Sequence, residues 1–528
     1  RLTPPLLRGG GLNEADPDGD ELVAATWSQA LSTAAAAMAE ADPRRIGVIG
    51  GARLTNEAQY AWAKRARGVL GTDNVDAQLG DELPPHAVLG LPAATIADAC
   101  QPRGTIVLLG PDPKEELGTL YIRLRHAAAH AGAKLIEFTP TATGLSSIAA
   151  AKLHARPGES GAVARALVAG DIGSEVGGVE PRDLSAARDL LDYGPVTVVV
   201  GRPSLAEDPQ PTLEAIDALR SIDGVRFLST VRRGNLVGAL DMGLGPGLAP
   251  GRTTLDSGRA AFIDVWPNMP DTAGASGPEI LSAGAAGELD VLVLLGADPL
   301  NDAPDQTVAA AALDRTPMVI AADLFLTRSV ACANVVFPAA AFTESQGSHT
   351  NFEGRVSPIR QKVTAPGTAR PDWIIAAELA AQLGQDLGIG EPADVWRELA
   401  PRSPVHSGLS TEAIEHAPDG VMVDATAGAI EFQAPGDHGA IEPVDSYSLR
   451  LVASRRMYDR GTLVQQSPHL AGFARDTQLR VNPYEFNRVG VDAGQPIHVV
   501  SLAGAVDVPV YPDEGVPRGV AVIDYNRS

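Results

Sequence analysis

The chain has 528 residues and a formal net charge of −23, because 65 Asp and Glu residues outnumber 42 Lys and Arg residues. This balance argues against nucleic acid and anionic membrane surfaces as partners, since both require clustered basic side chains. Cys100 and Cys332 are too few for a four-cysteine cluster site, and without a disulfide framework or a long apolar run we expect a cytoplasmic chain that does not enter the membrane.

The first predicted elements form a lead-in over residues 1–44. Residues 1–25 are rich in Gly, Asp and Pro and are expected to be extended or loop. A helix follows, with Thr26 as its N-cap and an Ala-rich run to Ala41. It is expected to end at Asp42, because the residue before a proline disfavours helical backbone.

Short apolar runs that end in turns alternate with helical patterns up to about residue 385. Strands of this kind are typical of parallel sheets covered on both faces, so the sequence predicts a doubly wound α/β fold. We assign one lobe to residues 45–80 and 285–385 and a second lobe to residues 81–284. The predicted elements are the strands Ile46–Ile49, Thr105–Leu109, Lys134–Phe138, Val196–Val200, Val291–Leu295 and Met318–Ala321, and the helices Asn56–Gly68, Leu120–Ala131, Leu213–Arg220 and Thr307–Leu313.

The remaining residues differ in character. Residues 386–445 contain one short helical pattern, Pro392–Leu399, and much Gly, Pro and Asp, so we expect a bridging segment. Residues 446–528 contain short β-rich runs separated by turns, which favours a separate small β-barrel domain. These runs are Leu449–Ser454, Gln478–Val481, Pro496–Ser501, Ala505–Val510 and Val520–Asp524.

Two strand-and-turn segments are nearly the same. Ile106–Pro113 and Leu292–Pro299 both consist of an aliphatic strand followed by Gly-x-Asp-Pro. The repeat is either a chance similarity between two buried strands or the sign of two lobes that each present a ligand-facing turn. Gly50–Arg53 forms another strand-to-helix turn, but it lacks the G-x-G-x-x-G fingerprint, and we interpret it as a simple tight turn.

Several stretches together resemble the molybdopterin-oxidoreductase superfamily. Ala155–Gly158 is similar to the family's RPG element and Gly296–Pro299 to its G-x-N-P turn, while Ala333–Ala339 and Gly347–Arg355 are the most specific match. The tail Leu451–Asn526 is similar to the family's C-terminal dinucleotide-binding barrel. The resemblance implies two Rossmann-like lobes and a C-terminal β-barrel of the double-psi type.

Finer details resemble the G-subunit family of bacterial NADH-quinone oxidoreductase, respiratory complex I. They lie in Gly71–Asp76, Ala77–Pro84 and Ser454–Thr462. The resemblance implies a scaffold docked on other subunits of the peripheral arm, at the cytoplasmic face of the membrane, that supports electron transfer from NADH to quinone. It also implies that iron–sulfur clusters lie in a missing part before residue 1, and that molybdopterin guanine dinucleotide has been lost.

Under this resemblance no residue is catalytic, and several positions match the family's pterin pocket as vestiges. These are Gly296, Asp298, Gly347, Asn351, Arg355, Arg455 and Asn482. Local departures agree with loss of the cofactor. Asp112 and Asp298 stand where the family usually has Asn, and a carboxylate facing a pyrophosphate adds like-charge repulsion. Thr139–Thr141 lacks the family's usual arginine, which would pair with an anion.

Two further hypotheses stay open. The first is an active molybdenum enzyme of the formate dehydrogenase or nitrate reductase type, in which Asp81 or Glu82 would be the metal ligand. The second is a free-standing nucleotide-binding α/β protein, which is the weakest because no phosphate loop is convincing. Molybdenum analysis separates the first from the scaffold hypothesis.

Overall fold

The computed structural model describes residues 1–9, 21–170, 172–436, 448–501 and 504–526. The chain divides into two compact units, each made of segments that are far apart in the sequence. Unit 1 comprises Arg1–Asp81, Val88–Gly90 and Arg233–Glu431, and unit 2 comprises Glu82–Ala87, Leu91–Arg232 and Phe432–Ser528.

The strands are numbered in chain order through the described residues. They are β1 (Leu6–Arg8), β2 (Leu22–Ala24), β3 (Ile46–Gly50), β4 (Val75–Asp76), β5 (Thr105–Leu109), β6 (Lys134–Phe138), β7 (Ala151–Leu153), β8 (Val196–Val200), β9 (Arg226–Ser229), β10 (Leu248–Ala249), β11 (Thr253–Thr254), β12 (Val291–Leu295), β13 (Met318–Asp323), β14 (Val335–Pro338), β15 (Gly347–Thr350), β16 (Arg355–Ile359), β17 (Val421–Met422), β18 (Arg450–Ser454), β19 (Leu479–Val481), β20 (Pro496–Ser501), β21 (Gly504–Pro512) and β22 (Val520–Asp524).

The α-helices are numbered in the same way. They are α1 (Trp27–Glu40), α2 (Asn56–Lys64), α3 (Pro85–Leu89), α4 (Ile96–Ala99), α5 (Pro113–Glu116), α6 (Gly118–His130), α7 (Ser160–Ala169), α8 (Pro181–Leu191), α9 (Gln210–Leu219), α10 (Leu236–Asp241), α11 (Leu255–Phe262), α12 (Gly277–Ala285), α13 (Pro299–Asp302), α14 (Gln306–Arg315), α15 (Asp372–Gln382), α16 (Pro392–Leu399), α17 (Thr411–His416), α18 (Thr462–Gln465) and α19 (Pro483–Val489). A π-helix, Arg65–Leu70, directly continues α2.

Unit 1 is built on a seven-stranded sheet in the order β2-β1-β14-β13-β12-β3-β4. The strands from β14 to β4 are parallel, as the aliphatic runs predict, while β1 and β2 add an antiparallel edge. Leu281 of α12 and Leu313 of α14 pack with Leu292 and Val319 of the sheet in one buried cluster. Thr26 caps α1 as predicted, because its side chain accepts the Gln29 amide in a capping box.

Unit 2 contains a parallel five-stranded sheet in the order β7-β6-β5-β8-β9. The order reverses between β5 and β8, and such a switch point leaves a crevice at the carboxyl ends of the strands. The predicted strands Thr105–Leu109, Lys134–Phe138 and Val196–Val200 are confirmed residue for residue. They are easy to predict because uninterrupted aliphatic runs bounded by turns define a buried strand locally.

The tail of unit 2 forms a mixed sheet in the order β18-β22-β19-β21-β20. The strand positions follow the predicted β-rich runs closely, so the small β domain is confirmed at that level. Among the described residues β18 and β20 are edge strands, so the sheet is open rather than a closed barrel. The tail packs within unit 2, where Leu205 donates its backbone N–H to Ala453 O at 2.9 Å.

The grouping of segments differs from the predicted lobes in two places. Residues 233–284, predicted with the second lobe, belong to unit 1, because Asn235 at the start of α10 bonds the Ala52 and Leu54 carbonyls at 3.0 and 2.7 Å. The predicted bridge 386–445 carries α16, α17 and β17, and β17 pairs with β16, so its first part is integral to unit 1. Residues 437–447 of that bridge lie outside the described residues.

No helix in the described part of the chain is both long and apolar enough to cross a membrane.

Candidate functional site

Two glycines form the turn between β3 and α2 in unit 1. Gly50 and Gly51 have φ of 103° and 92°, a region that residues with a Cβ rarely adopt. The Gly51 N–H donates to Leu295 O of the neighbouring strand at 2.7 Å, and a Cβ on Gly50 would lie 2.4 Å from that same oxygen. The turn is therefore pressed against β12, and the amide that could meet a phosphate already has a protein acceptor.

The turn after β12 contains two of the predicted pocket positions. Gly296 has φ of 54°, and Asp298 is 7% exposed before the short helix α13. The Asp298 carboxylate accepts the Ser329 hydroxyl, whose oxygen in turn accepts the Leu300 amide at 3.0 Å. This aspartate is therefore held by a side chain from another loop of unit 1.

A cleft of about 230 Å³ lies at the carboxyl ends of β3 and β12, lined by Gly296, Arg53 and Arg233. Arg53 donates to Gly296 O at 3.2 Å, and its guanidinium lies 3.8 Å from a carboxylate oxygen of Asp302. Arg233 lies 3.6 Å from the same oxygen. Asp302 is thus shared by two arginines.

Asp81, one of the two alternative metal ligands, is engaged by Arg233 through both oxygens. Arg233 Nη1 lies 3.0 Å from Oδ1 and Nη2 lies 2.8 Å from Oδ2. The Asp81 side chain is 0% exposed and that of Arg233 is 5% exposed, so this is a buried ion pair. Removing Arg233 would leave the Asp81 carboxylate buried without this counter-charge, whereas Arg233 also has Asp302 at 3.6 Å.

A second buried aspartate lies beside this pair. Asp76, at the end of β4, accepts the amides of Gln78 and Gly277 at 3.0 and 2.8 Å. Burial, together with the charge of Asp81, raises the pKa of Asp76 to about 7, although its hydrogen bonds oppose the shift. Two carboxyl groups, Asp76 and Asp81, are thus buried close together beside Arg233.

Glu82, the other alternative ligand, belongs to unit 2. It is 7% exposed, and its Oε1 accepts the Arg232 backbone amide at 2.9 Å. In the described part of the chain, no group of three or more His, Cys, Asp and Glu side chains is arranged to hold a metal ion. The structure thus gives Asp81 and Glu82 protein partners in different units.

Three more predicted positions lie on the hairpin of β15 and β16 in unit 1. Gly347 has φ of 154°, and a Cβ there would lie 2.3 Å from Glu57 Oε2. Asn351 Oδ1 accepts the amides of Glu353 and Arg355 at 3.1 and 2.9 Å, and Arg355 forms an ion pair with Glu353 at 2.9 Å. Asn351 thus bonds within its own turn, while Arg355 also donates to Asp419 O at 3.1 Å.

Glu57 is a buried carboxyl group that the sequence does not single out. It accepts the Ser348 amide and hydroxyl, each at 2.8 Å, and the Trp396 indole N–H at 2.7 Å. Burial raises the pKa of Glu57 despite these hydrogen bonds. It joins α2, β15 and α16, so its observed contacts are internal to unit 1.

A larger cleft of about 460 Å³ lies at the carboxyl ends of β5 and β6 in unit 2. Asp112 lines it and accepts the amides of Lys114 and Gly144 at 3.0 and 2.9 Å. Burial raises the pKa of Asp112. Glu115 and Glu116 also line the cleft, so the sheet side of this space carries carboxylates.

Three arginines face the same cleft from the C-terminal sheet. Arg455, a predicted pocket residue, is 4% exposed, and its guanidinium lies 4.5 Å from the Tyr525 ring centroid. Arg456 pairs with Asp524 at 2.8 Å, and Arg480 pairs with Asp513 at 2.8 Å. The two latter cations are therefore already matched by carboxylates of unit 2.

Asn482, the last predicted position, caps α19. Its Oδ1 accepts the Tyr484 amide at 3.0 Å and its Nδ2 donates to Val516 O at 2.8 Å. Of the seven predicted positions, the structure thus places Gly296 at the small cleft and Arg455 at the large one. The assignment of all seven as vestiges of a pterin pocket stays a prediction.

The buried partners Arg233 and Asp302 were not anticipated. Arg233 lies 152 positions from Asp81 in the sequence, and no local motif connects the two residues. Only information on which residues are close in space could have identified this pair.

Comparison with known proteins identifies relatives over the whole chain. The family model for molybdopterin oxidoreductases matches residues 1–170 and 213–382. The G subunit of NADH-quinone oxidoreductase from Mycobacterium bovis is 30% identical over 521 residues, which cover 96% of this chain and 59% of that protein. The alpha subunit of a formate dehydrogenase of Methanococcus maripaludis is 24% identical, over 100% of this chain and 86% of its own.

The fold is also found among solved structures. Acetylene hydratase from Pelobacter acetylenicus superposes with a TM-score of 0.69 at 18% sequence identity, covering 100% of this chain and 85% of its own. At this level of identity the similarity concerns the fold alone. The chain spans about three-fifths of the length of the mycobacterial G subunit that it matches.

Proposed function

Since the chain belongs to the molybdopterin oxidoreductase family, we propose that it forms the non-catalytic body of a G subunit of NADH-quinone oxidoreductase. In this role it docks on other subunits of the peripheral arm at the cytoplasmic face of the membrane. It supports electron transfer from NADH to quinone through iron–sulfur clusters that are held outside these 528 residues. The similarity to a mycobacterial G subunit over 96% of the chain supports this assignment.

The buried pair of Asp81 and Arg233 is the observation that carries the proposal. A carboxylate binds a metal through its oxygens, and both Asp81 oxygens contact Arg233. Glu82 has an oxygen bonded to the Arg232 amide. Metal binding at Asp81 would therefore compete with its buried ion pair to Arg233, and binding through Oε1 of Glu82 would compete with the Arg232 amide.

This proposal includes the loss of molybdopterin guanine dinucleotide, and the carboxylates and already bonded amides at the two clefts support it. Its two phosphate groups need donors and positive charge. In unit 1 the Gly51 amide is bonded to Leu295 O, and Asp298 and Asp302 are buried at or near the cleft. In unit 2 Asp112 takes the amides of Lys114 and Gly144. We therefore derive no reaction step through this cofactor.

The C-terminal sheet is, in this proposal, one part of a double-psi barrel. The pairing of β18 with β22 and of β19 with β21 is parallel, while β22 pairs with β19 antiparallel. The mixed pairing of this open sheet is the observation that supports the assignment. Its role here would be structural, because Asn482 and two of the three cleft arginines bond to unit 2 itself.

The competing proposal is an active molybdenum enzyme of the formate dehydrogenase or nitrate reductase type. It is favoured by the similarity to a formate dehydrogenase alpha subunit over 86% of that protein. It requires Asp81 to leave Arg233, or Glu82 to leave the Arg232 amide, and to bind the metal instead.

Metal analysis of the natural assembly separates the two. The complex is purified from its own cells, and its iron, molybdenum and pterin contents are measured per copy of this chain. We expect iron without stoichiometric molybdenum or pterin, and unchanged NADH:quinone activity after growth on tungstate, which replaces molybdenum. A molybdenum enzyme of the same cells is the control and should lose activity. One molybdenum per chain would overturn the proposal.

A further inference from the structure

Three basic residues are buried next to one another where α2 passes into the π-helix. Lys64 is 5% exposed, and Arg65 and Arg67 are 0% exposed. Lys64 lies 2.7 Å from Glu398 Oε1, and Arg67 pairs with Asp73. Arg67 also donates to two backbone carbonyls of unit 1, at 2.6 and 2.7 Å. Two of the three buried charges thus have a carboxylate, as buried charges normally do.

Arg65 is the exception. Within the described residues, neither its Nε nor its Nη1 has a hydrogen-bond acceptor, and its Nη2 contacts only the Met38 sulfur. The guanidinium lies 5.2 Å from the Trp62 ring centroid, and the Trp62 indole N–H is likewise buried without an acceptor in the described part of the chain. Several N–H donors are therefore buried together, with one full positive charge.

The charge of Arg65 persists at neutral pH. Burial lowers its pKa to about 9, and this value still leaves the guanidinium protonated in the cell. The cation–π contact with Trp62 offsets part of the cost of burial. A neutral water at either unbonded donor would accept a hydrogen bond but would leave the charge unmatched.

The surroundings define what kind of partner fits. Arg65 lies where α15 packs against both α2 and the π-helix, while Met38 comes from α1. The three helices exclude solvent, so a large ligand or the side chain of another protein has no access to the guanidinium. π-helical segments are rare and concentrate at functional sites, which makes this an unusual place for an unmatched charge.

We propose that Arg65 holds a small monovalent anion of the size of a halide, buried among α1, α2 and α15. One guanidinium matches one negative charge, and one of its two unbonded donors, Nε–H or Nη1–H, gives the ion a hydrogen bond, since these two donors lie on different edges of the group. The ion would fix the junction of α2 and the π-helix, in the way that Glu398 and Asp73 fix Lys64 and Arg67. This inference is independent of the function proposed above.

Bromide is the probe, because it replaces chloride and scatters anomalously. Crystals of the full chain grown in sodium bromide should show an anomalous peak in contact with the Arg65 guanidinium. In solution, exchanging gluconate for bromide at constant ionic strength should raise the melting temperature by about 2 °C, since an ion that binds only the folded state stabilises it.

Two variants isolate the site. Arg65→Met, which removes the charge at nearly constant volume, should melt no lower than the natural protein in gluconate and should show no response to bromide. Arg397→Met removes a surface arginine that is 63% exposed, and it should keep the full bromide response. An ordered water without anomalous signal would overturn the proposal, as would a bromide response that survives Arg65→Met. If Arg65→Met does not fold, the diffraction and melting data of the natural protein decide.

Discussion

The turns after β5 and β12 carry nearly the same residues, yet their aspartates are held in different ways. Asp112 accepts two backbone amides, one from its own helix and one from the loop after β6. Asp298 accepts a hydroxyl from Ser329 instead. The smaller cleft, beside Asp298, is lined by the buried Arg233 and the partly exposed Arg53. The larger cleft is lined by the buried Arg455 and by Arg456 and Arg480, which are partly exposed. In these similar turns the aspartate is thus held either by backbone amides or by a side-chain hydroxyl.

The largest expected effect comes from comparing the buried ion pair of Arg233 with the partly exposed ion pair of Arg456. Arg233→Met should lower the free energy of unfolding by ~3–5 kcal/mol, because Asp81 would be left buried without a counter-charge. Arg456→Met in unit 2, whose side chain is 22% exposed, is the matched control and should cost only about 1 kcal/mol. Urea denaturation of both variants measures the difference. Equal losses would mean that the two clefts are stabilised alike.

A double variant sharpens the same test. Combining Arg233→Met with Asp81→Leu replaces the buried pair by apolar side chains and should recover much of the loss. No recovery would show that Arg233 acts mainly on Asp302 rather than on Asp81.

The next effect concerns pH and unit 1. Burial, with a smaller contribution from the charge of Asp323, raises the pKa of Asp372 from 3.8 to about 8. Because the folded pKa lies above the unfolded one, the stabilisation is complete at low pH and is lost as pH rises through ~8. Asp372→Asn should therefore be more stable than the natural protein at pH ~9 and should vary less with pH. The melting temperatures of both proteins, recorded from low pH to pH ~9, measure this difference in stability.

Unit 2 supplies the counterpart of that experiment. Burial raises the pKa of Glu207 to about 7, so Glu207→Gln should act with the same sign, over a lower pH window. If Asp372→Asn instead lost stability at high pH, the carboxyl group would be ionised and bound in the folded protein, and its pKa assignment would be wrong.

The smallest effect concerns the turn after β5. Asp112→Ala removes the acceptors of two amides and should cost about 1 kcal/mol, whereas Asp112→Asn keeps one acceptor oxygen and should cost less. Chemical denaturation of the two variants measures how much of the loss one acceptor recovers. Equal losses in the two variants would show that both oxygens of Asp112 are needed to hold its amides.

Local sequence patterns predicted the strands well but not the continuation of α2. Val196–Val200 and Val291–Leu295 were located residue for residue, because a run of aliphatic residues between turns suffices to define a buried strand. Asn56–Gly68 was predicted as one helix, whereas α2 ends at Lys64 and a π-helix follows. The difference of one residue per turn leaves no mark on hydrophobic periodicity.

The candidate site was predictable only as a set of turns. Gly296 and Arg455 do lie at clefts. These positions could be predicted because strand ends in parallel sheets and the facing loops are recognisable from motifs. The partners that decide their chemistry come from remote segments. Arg233 meets Asp81 across 152 positions, and Arg456 meets Glu115 across 341. Such pairings follow from tertiary packing, which a single sequence does not encode in its spacing.

The antiparallel edge of the unit 1 sheet has a consequence for biosynthesis. Leu6 pairs with Val336, and Arg8 donates to Ala333 O, 325 positions later. Strand β1 therefore cannot pair until the ribosome has synthesised β14, which takes tens of seconds at ~5–20 residues per second. The parallel sheet of unit 2 lies entirely between β5 and β9 and can form meanwhile. The inserted sheet is thus expected to fold before the one that encloses it in the sequence.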